Sequence, residues 1–97
     1  MAADDRIRID KWLWQARFYK TRVLSSQMVQ GGKLRVNGQK MLKPGRAVGP
    51  GDALTFKVHD QIRTLRIVEC GTRRGPATEA QTLYEWIDGI GSETSVP

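Results

Sequence analysis

Eleven positions in the first half of this chain have side chains suited to holding a polyanion: Arg8, Lys11, Arg17, Lys20, Thr21, Arg22, Gln27, Lys33, Arg35, Asn37 and Lys40. The cations attract phosphate. Thr21, Gln27 and Asn37 add short hydrogen-bonding groups beside it. Between Arg6 and Arg46 eleven Lys and Arg stand against a single acid, Asp10, a local charge of +10; the whole chain carries +6, so the remainder sums to −4. An ordinary solvated face mixes its signs, whereas charge sorted along a short chain marks a polyanion surface, because each cation brought to a phosphate releases condensed counterions.

Other chemistries lack their residues. The sequence shows no acid–base pair, no metal-ligand spacing and no GxxxxGK[ST] phosphate loop. Neither a cofactor nor a metal is expected. Cys70 is the only cysteine and His59 the only histidine. A lone cysteine forms no intramolecular disulfide, fits a reducing cytoplasm and reads as a small buried hydrophobe. The N-terminus, MAADDRIRID, has no apolar signal region, and no apolar run approaches the ~20 residues needed to cross a bilayer. The stretch Arg8 to Phe18 is too short and too mixed with aromatics to lie on an anionic membrane as a basic amphipathic helix. A cytoplasmic location without membrane contact is the expectation.

The elements that must position the cations follow from caps and periodicity. Asp10 is suited to N-cap a helix running to about Phe18, with Ile9, Leu13 and Ala16 on its apolar face and Trp12 on the flank. Lys11, Trp14, Gln15 and Phe18 then fall on the other side. Trp14 and Phe18 are either packed on later segments or partly exposed for stacking. After a two-residue link at Tyr19 and Lys20, Thr21 caps a second helix, Arg22 to Gln30, whose apolar stripe is Val23, Leu24, Met28 and Val29. Gly31 or Gly32 ends that helix in the left-handed conformation. The pair is an αα-hairpin or helix-turn-helix. Arg17, Lys20 and Arg22 bracket its corner, where the helix N-terminus also favours an anion.

Beyond the glycines the period becomes alternating. Lys33 to Val36 and Gln39 to Leu42 flank Asn37-Gly38, the strongest short hairpin signal, so Lys33 and Arg35 share a face. Lys43-Pro44-Gly45 and Gly49-Pro50-Gly51-Asp52 read as linkers. Ala53 to His59 and Ile62 to Val68 form a second hairpin around Asp60-Gln61, with Ile62, Leu65 and Ile67 inward after a shift near Thr64. Gly71 to Pro76 is a loop, and Ala77 to Ile87 has weak helical potential. Glu79, Glu85, Asp88 and Glu93 make the C-terminal part acidic. The expected layout is a flexible segment 1–6, one domain over 7–87 and a disordered acidic tail over 88–97.

These residues resemble the RNA-binding domain named after ribosomal small-subunit protein four, the S-four domain. The matching text is Arg8-Ile9-Asp10-Lys11-Trp12-Leu13-Trp14, Arg17, Lys20-Thr21-Arg22, the Gly-Gly before a basic strand, Val36-Asn37-Gly38, Lys43-Pro44 and Gly51-Asp52. Within that superfamily IDKWLWQARFYKTR and GPATEAQTLYEW are similar to the bacterial ribosome-associated heat-shock protein 15 family. The likeness covers Ile7 to Trp86. It implies an α+β, alpha-L fold in which two N-terminal helices pack on a small, mainly antiparallel sheet and a C-terminal segment covers the core. It also implies that the helix corner and the hairpin turn grip structured RNA, the positions matching here being Arg8, Lys11, Arg17, Lys20, Thr21, Arg22, Lys33, Arg35 and Asn37. That family binds ribosomal RNA of the large subunit in a heat-shock or stalled-ribosome rescue role. Its members continue into a long, very basic segment where this chain ends acidic, so either a shortened chain or narrower ribosome contacts are expected.

The expectation is therefore a monomeric, non-catalytic protein that binds structured RNA, with Gln27 and Lys40 completing the contact set. RNA is recognised by shape, phosphates and 2′-hydroxyls, which suits a basic surface with short polar groups. Reading duplex DNA needs a protruding recognition helix, which makes a DNA-binding helix-turn-helix the second reading and DNA the weaker ligand. A third is an accessory subunit that delivers RNA to a modifying enzyme, since S-four domains occur fused to pseudouridine synthases and tyrosyl-tRNA synthetases.

Overall fold

The computed structural model describes residues 5–87, so the expectations for residues 1–4 and for the tail 88–97 lie outside the described residues. In chain order the elements are β1 (Ile7–Arg8), α1 (Ile9–Gln15), α2 (Arg22–Gln30), β2 (Leu34–Val36), β3 (Gln39–Met41), β4 (Ala47–Val48), β5 (Ala53–Val58), β6 (Gln61–Ile67), α3 (Ala77–Ala80), a 3-10 turn (Gln81–Leu83) and β7 (Tyr84–Trp86). Five strands form an antiparallel sheet in the order β3-β2-β5-β6-β7, while β1 and β4 form a separate two-stranded ladder. The fold is α+β, with the helices over one face of the sheet. Ile9, Trp12 and Leu13 of α1 and Val29 of α2 meet Leu34, Val36, Leu54, Phe56, Leu65 and Ile67 in one apolar cluster.

Helix α1 departs from expectation at both ends. Arg8 occupies the N-cap position with no side-chain cap bond, and Asp10 lies inside the helix and is buried. The helix stops at Gln15 because Arg17 turns left-handed at φ 66. Arg17 N–H then donates to Trp14 O at 3.0 Å and Phe18 N–H to Leu13 O at 3.1 Å, the Schellman pattern, with arginine where glycine usually sits. An arginine there costs about 1–2 kcal/mol in backbone strain, offset by a 2.6 Å bond from its Nε to Gly75 O. Gln15, expected on the exposed side, is 1% exposed and donates to Cys70 O at 3.0 Å. Trp12 is fully buried and donates from Nε1 to Glu69 O at 2.9 Å. The segment after β6 thus runs along α1 and supplies the carbonyls that make a buried glutamine and indole tolerable.

Helix α2 has the expected cap, Thr21 Oγ1 accepting from Leu24 N–H at 3.1 Å. It ends at Gly32, φ 75, in a second Schellman turn in which Lys33 N–H donates to Met28 O. Its buried stripe is rotated from the one expected. Ser25 and Val29 are fully buried, whereas Leu24 is 46% exposed and Val23 is also exposed. Ser25 Oγ donates to Asp10 O at 2.8 Å, so a close helix–helix crossing selects a small hydroxyl at that position.

The β2–β3 hairpin turns at Asn37-Gly38, both at positive φ, as the dipeptide requires. The β5–β6 hairpin differs from expectation by one residue. Its turn is His59-Asp60, φ 50 and 69, and its ladder is unbroken from Ala53↔Arg66 to Val58↔Gln61. With no shift near Thr64, Ile62 faces solvent and Arg63 lies on the inner face with Leu65 and Ile67. The expected C-terminal helix is one turn of α3. It gives way to β7, which pairs Tyr84↔Ile67 and Trp86↔Leu65 and so packs Tyr84 against the core with the exposed Trp86 ring beside it.

Candidate nucleic-acid interface

Where α1 begins, backbone bonds fasten the loop before β4 to the helix: Ile9 N–H donates to Arg46 O at 2.9 Å and Asp10 N–H to Pro44 O at 3.2 Å. Those two bonds and the β1–β4 ladder bring the first and fifth decades of the sequence together. Arg8, exposed beside the buried carboxylate of Asp10, reaches it with two bonds, Nε to Oδ1 at 3.1 Å and Nη2 to Oδ2 at 3.0 Å. Arg22 approaches the same carboxylate from α2, Nη2 to Oδ1 at 3.7 Å. The hydrogen bond from Arg8 to Asp10 and the charge of that carboxylate raise the Arg8 pKa. One buried acid therefore aligns two guanidiniums whose outer edges face solvent, an arrangement whose fork geometry matches phosphate oxygens.

Other cations surround this pair. Lys20, Thr21 and Arg22 are exposed at the N-terminus of α2, where the helix dipole also favours an anion. Lys11 is half-buried on α1 and Gln27 exposed on α2. On the hairpin Arg35 faces Lys40 across the β2–β3 ladder, and Lys33 is exposed just before it. A cleft of about 540 Å³ beside the corner is lined by Lys40, Met41, Leu42, Lys43, Gly45 and Arg46. The Arg8 guanidinium lies against Gly45, its Cζ 3.7 Å from where a Cβ would stand, so cleft and corner are continuous. Lys43 and Arg46 belong to this surface although their spacing reads as a linker. The Lys43-Pro44-Gly45-Arg46 run and the single acid Asp10 were the signals, but only the β1–β4 pairing joins them.

Two expected members stand apart. Arg17 is bonded to Gly75 O and lines a different cleft, at the far end of α1. Asn37 is exposed at the hairpin turn, but its amide is engaged on both sides. Its Oδ1 accepts from Ala53 N–H at 2.9 Å and its Nδ2 donates to Asp52 Oδ1 at 3.1 Å. It holds β2 to β5 and shapes the surface more than it offers free hydrogen-bonding capacity. Among the described residues no group of three or more His, Cys, Asp or Glu is placed to hold a metal, and no helix is long and apolar enough to cross a membrane.

Comparison with known proteins agrees with this geometry. The S4 domain model matches residues 7–54, the span that contains the corner, both helices and the first hairpin. Heat shock protein 15 of Escherichia coli (strain K12) is 46% identical over 79 residues, 81% of this chain and 59% of that protein. The chain thus spans about three fifths of the length of that relative. The RQC P-site tRNA stabilizing factor of Listeria monocytogenes is 33% identical over 81 residues, 81% of this chain and 87% of that one. The trimeric structure of Vibrio cholerae heat shock protein 15 superimposes with a TM-score of 0.80 at 44% identity, covering 84% of this chain and 82% of that one. These matches, over most of the chain, place it in the S4 domain family, among the relatives of heat shock protein 15.

Proposed function

We propose that this chain is a non-catalytic, cytoplasmic protein that binds structured RNA, and that its target is ribosomal RNA of the large subunit in a heat-shock or stalled-ribosome rescue role. The observation that carries the reading is the Arg8–Asp10–Arg22 cluster, two guanidiniums on one buried carboxylate and lysines on either side. A corner with fixed forks and flexible flanking lysines recognises the spacing of phosphates on a folded RNA, not a base sequence. Lys11, Lys20, Thr21, Arg22, Gln27, Lys33, Arg35 and Lys40 extend that grip, with Lys43 and Arg46 added from the adjoining cleft. The exposed face of α2 offers apolar Val23 and Leu24, which disfavours insertion into a DNA major groove. The names of the relatives support the ribosomal setting, one set being heat shock proteins and another a P-site tRNA stabilizing factor.

Fluorescence anisotropy with a labelled helix of large-subunit ribosomal RNA tests the reading. Unlabelled structured RNA should displace the probe at far lower concentration than duplex DNA at matched salt. Equal competition by duplex DNA would reject RNA selectivity.

A further inference from the structure

A second cleft, of about 490 Å³, opens at the C-terminal end of α1, between the β5–β6 hairpin and the segment from α3 to β7. Its size is that of a small-ligand site. Its floor is aromatic, with Phe18 at the centre. The Phe18 ring centroid lies 5.1 Å from Phe56, 4.9 Å from Tyr84 and 6.0 Å from Trp86, and Tyr84 lies 5.3 Å from Trp86. All four pairs are tilted or edge-on, with interplanar angles of 47° to 87°, so these rings do not cover one another's faces by parallel stacking.

The rim has the opposite character. Arg17, Lys57, His59 and Arg63 line it, and no Asp or Glu does. Arg63 lies over the Trp86 ring, 4.0 Å from the centroid, and Lys57 is 3.9 Å from the exposed carboxylate of Asp60 at the hairpin turn. Gln81, exposed, contributes an amide that both donates and accepts. Two rim residues, Arg17 at φ 66 and His59 at φ 50, hold the left-handed backbone that side chains with a Cβ rarely adopt. Burial pushes the Tyr19 phenol up to about 12 and raises that of Tyr84.

We propose that this cleft receives one unpaired nucleotide, its base against the Phe18, Tyr84 and Trp86 rings and its phosphate on the Arg17, Lys57 and His59 rim. An aromatic floor accepts any base by its π-face, and a basic rim complements the attached phosphate. The inference rests on the RNA-binding reading and extends it. Helix α1, seven residues and so ~10 Å long, separates the Arg8–Asp10 corner from the cleft, a span that a single strand flanking a bound RNA helix crosses.

The test uses the whole chain, labelled with ¹⁵N and titrated with adenosine 5′-monophosphate. The Trp86 indole N–H and the amides of Phe18, His59 and Tyr84 should shift saturably, while ribose 5-phosphate leaves the Trp86 indole in place. With an RNA hairpin carrying an unpaired flank, Trp86→Ala should weaken binding about tenfold, and for the same hairpin without the flank it should bind like the unaltered protein. Gln81→Trp fills the cleft from an exposed position and should reproduce the loss if Trp86→Ala unfolds the sheet edge. Absence of cleft shifts at millimolar nucleotide, identical shifts with ribose 5-phosphate, or a flank that adds no affinity would overturn the nucleotide site. Those results leave hairpin binding standing, whereas failure of the unaltered protein to bind any hairpin overturns the RNA reading itself.

Discussion

Asp10 is the only acid between Arg6 and Arg46, and it is buried with two arginines directed onto it. On charge alone, neutralising it should strengthen phosphate binding by raising the net charge by one. On geometry, Asp10→Asn leaves Arg8 one carbonyl acceptor in place of two carboxylate oxygens and removes the charge that draws Arg22 in, so both guanidiniums gain rotamer freedom that binding must remove. The expected outcome is a three- to tenfold weaker complex with structured RNA, about the worth of one ordinary hydrogen bond. Anisotropy at fixed salt reads it, and tighter binding would show that charge outweighs alignment. Cys70 and Tyr19 carry a different prediction. Burial, the largest cause, pushes the Cys70 thiol up to about 11, and the Tyr19 phenol rises to about 12 for the same reason. Both groups hold their protons longer folded than unfolded. Their contribution to stability is therefore complete below the unfolded values of about 9 and 10 and is lost as pH rises through 11 and 12. Urea midpoints should hold to about pH 9 and fall progressively above it; a midpoint that rises there would contradict the burial of these groups.

At the scale of elements, Leu13 and Leu24 separate what periodicity shows from what packing decides. Both carry helical spacing, yet Leu13 is fully buried and Leu24 is 46% exposed. Leu13→Ala should cost about 2–5 kcal/mol, and Leu24→Ala should stay within about 0.5 kcal/mol of the parent. Equal losses in urea denaturation would contradict the orientation of α2. The hairpin at Asn37-Gly38, the Thr21 cap and the stop at Gly32 were legible because each is local chemistry that few residue types satisfy. The end of α1 was not, because its left-handed position is filled by Arg17, whose Gly75 partner lies far along the chain. The strands β1 and β4, two residues each, are too short to show alternation and exist only as a mutual pair. The inward placement of Arg63 was hidden for a similar reason: Ile62 reads as the inward residue until the ladder to β5 fixes the register. Of the site, the cations were readable from composition. Their division between the Asp10 corner and the Arg17 cleft depended on the folded chain.

For the whole molecule, the helices, the β2–β3 hairpin and the loop before β4 gather most of the +10 segment around one corner, Arg17 apart, while β5 to β7 complete the sheet. Long-range attraction from that segment should speed encounter, and the corner should fix the geometry of the complex. The most direct test is the salt dependence of affinity for a large-subunit ribosomal RNA helix, measured for the unaltered protein and for the Arg8→Gln, Arg22→Gln pair. If four to six phosphates are neutralised, log K should fall against log salt with a slope of about −3 to −5. The double variant, still folded, should lose about 1.5 to 2 from that slope. An unchanged slope in a folded double variant would place the RNA-binding surface away from the Asp10 corner.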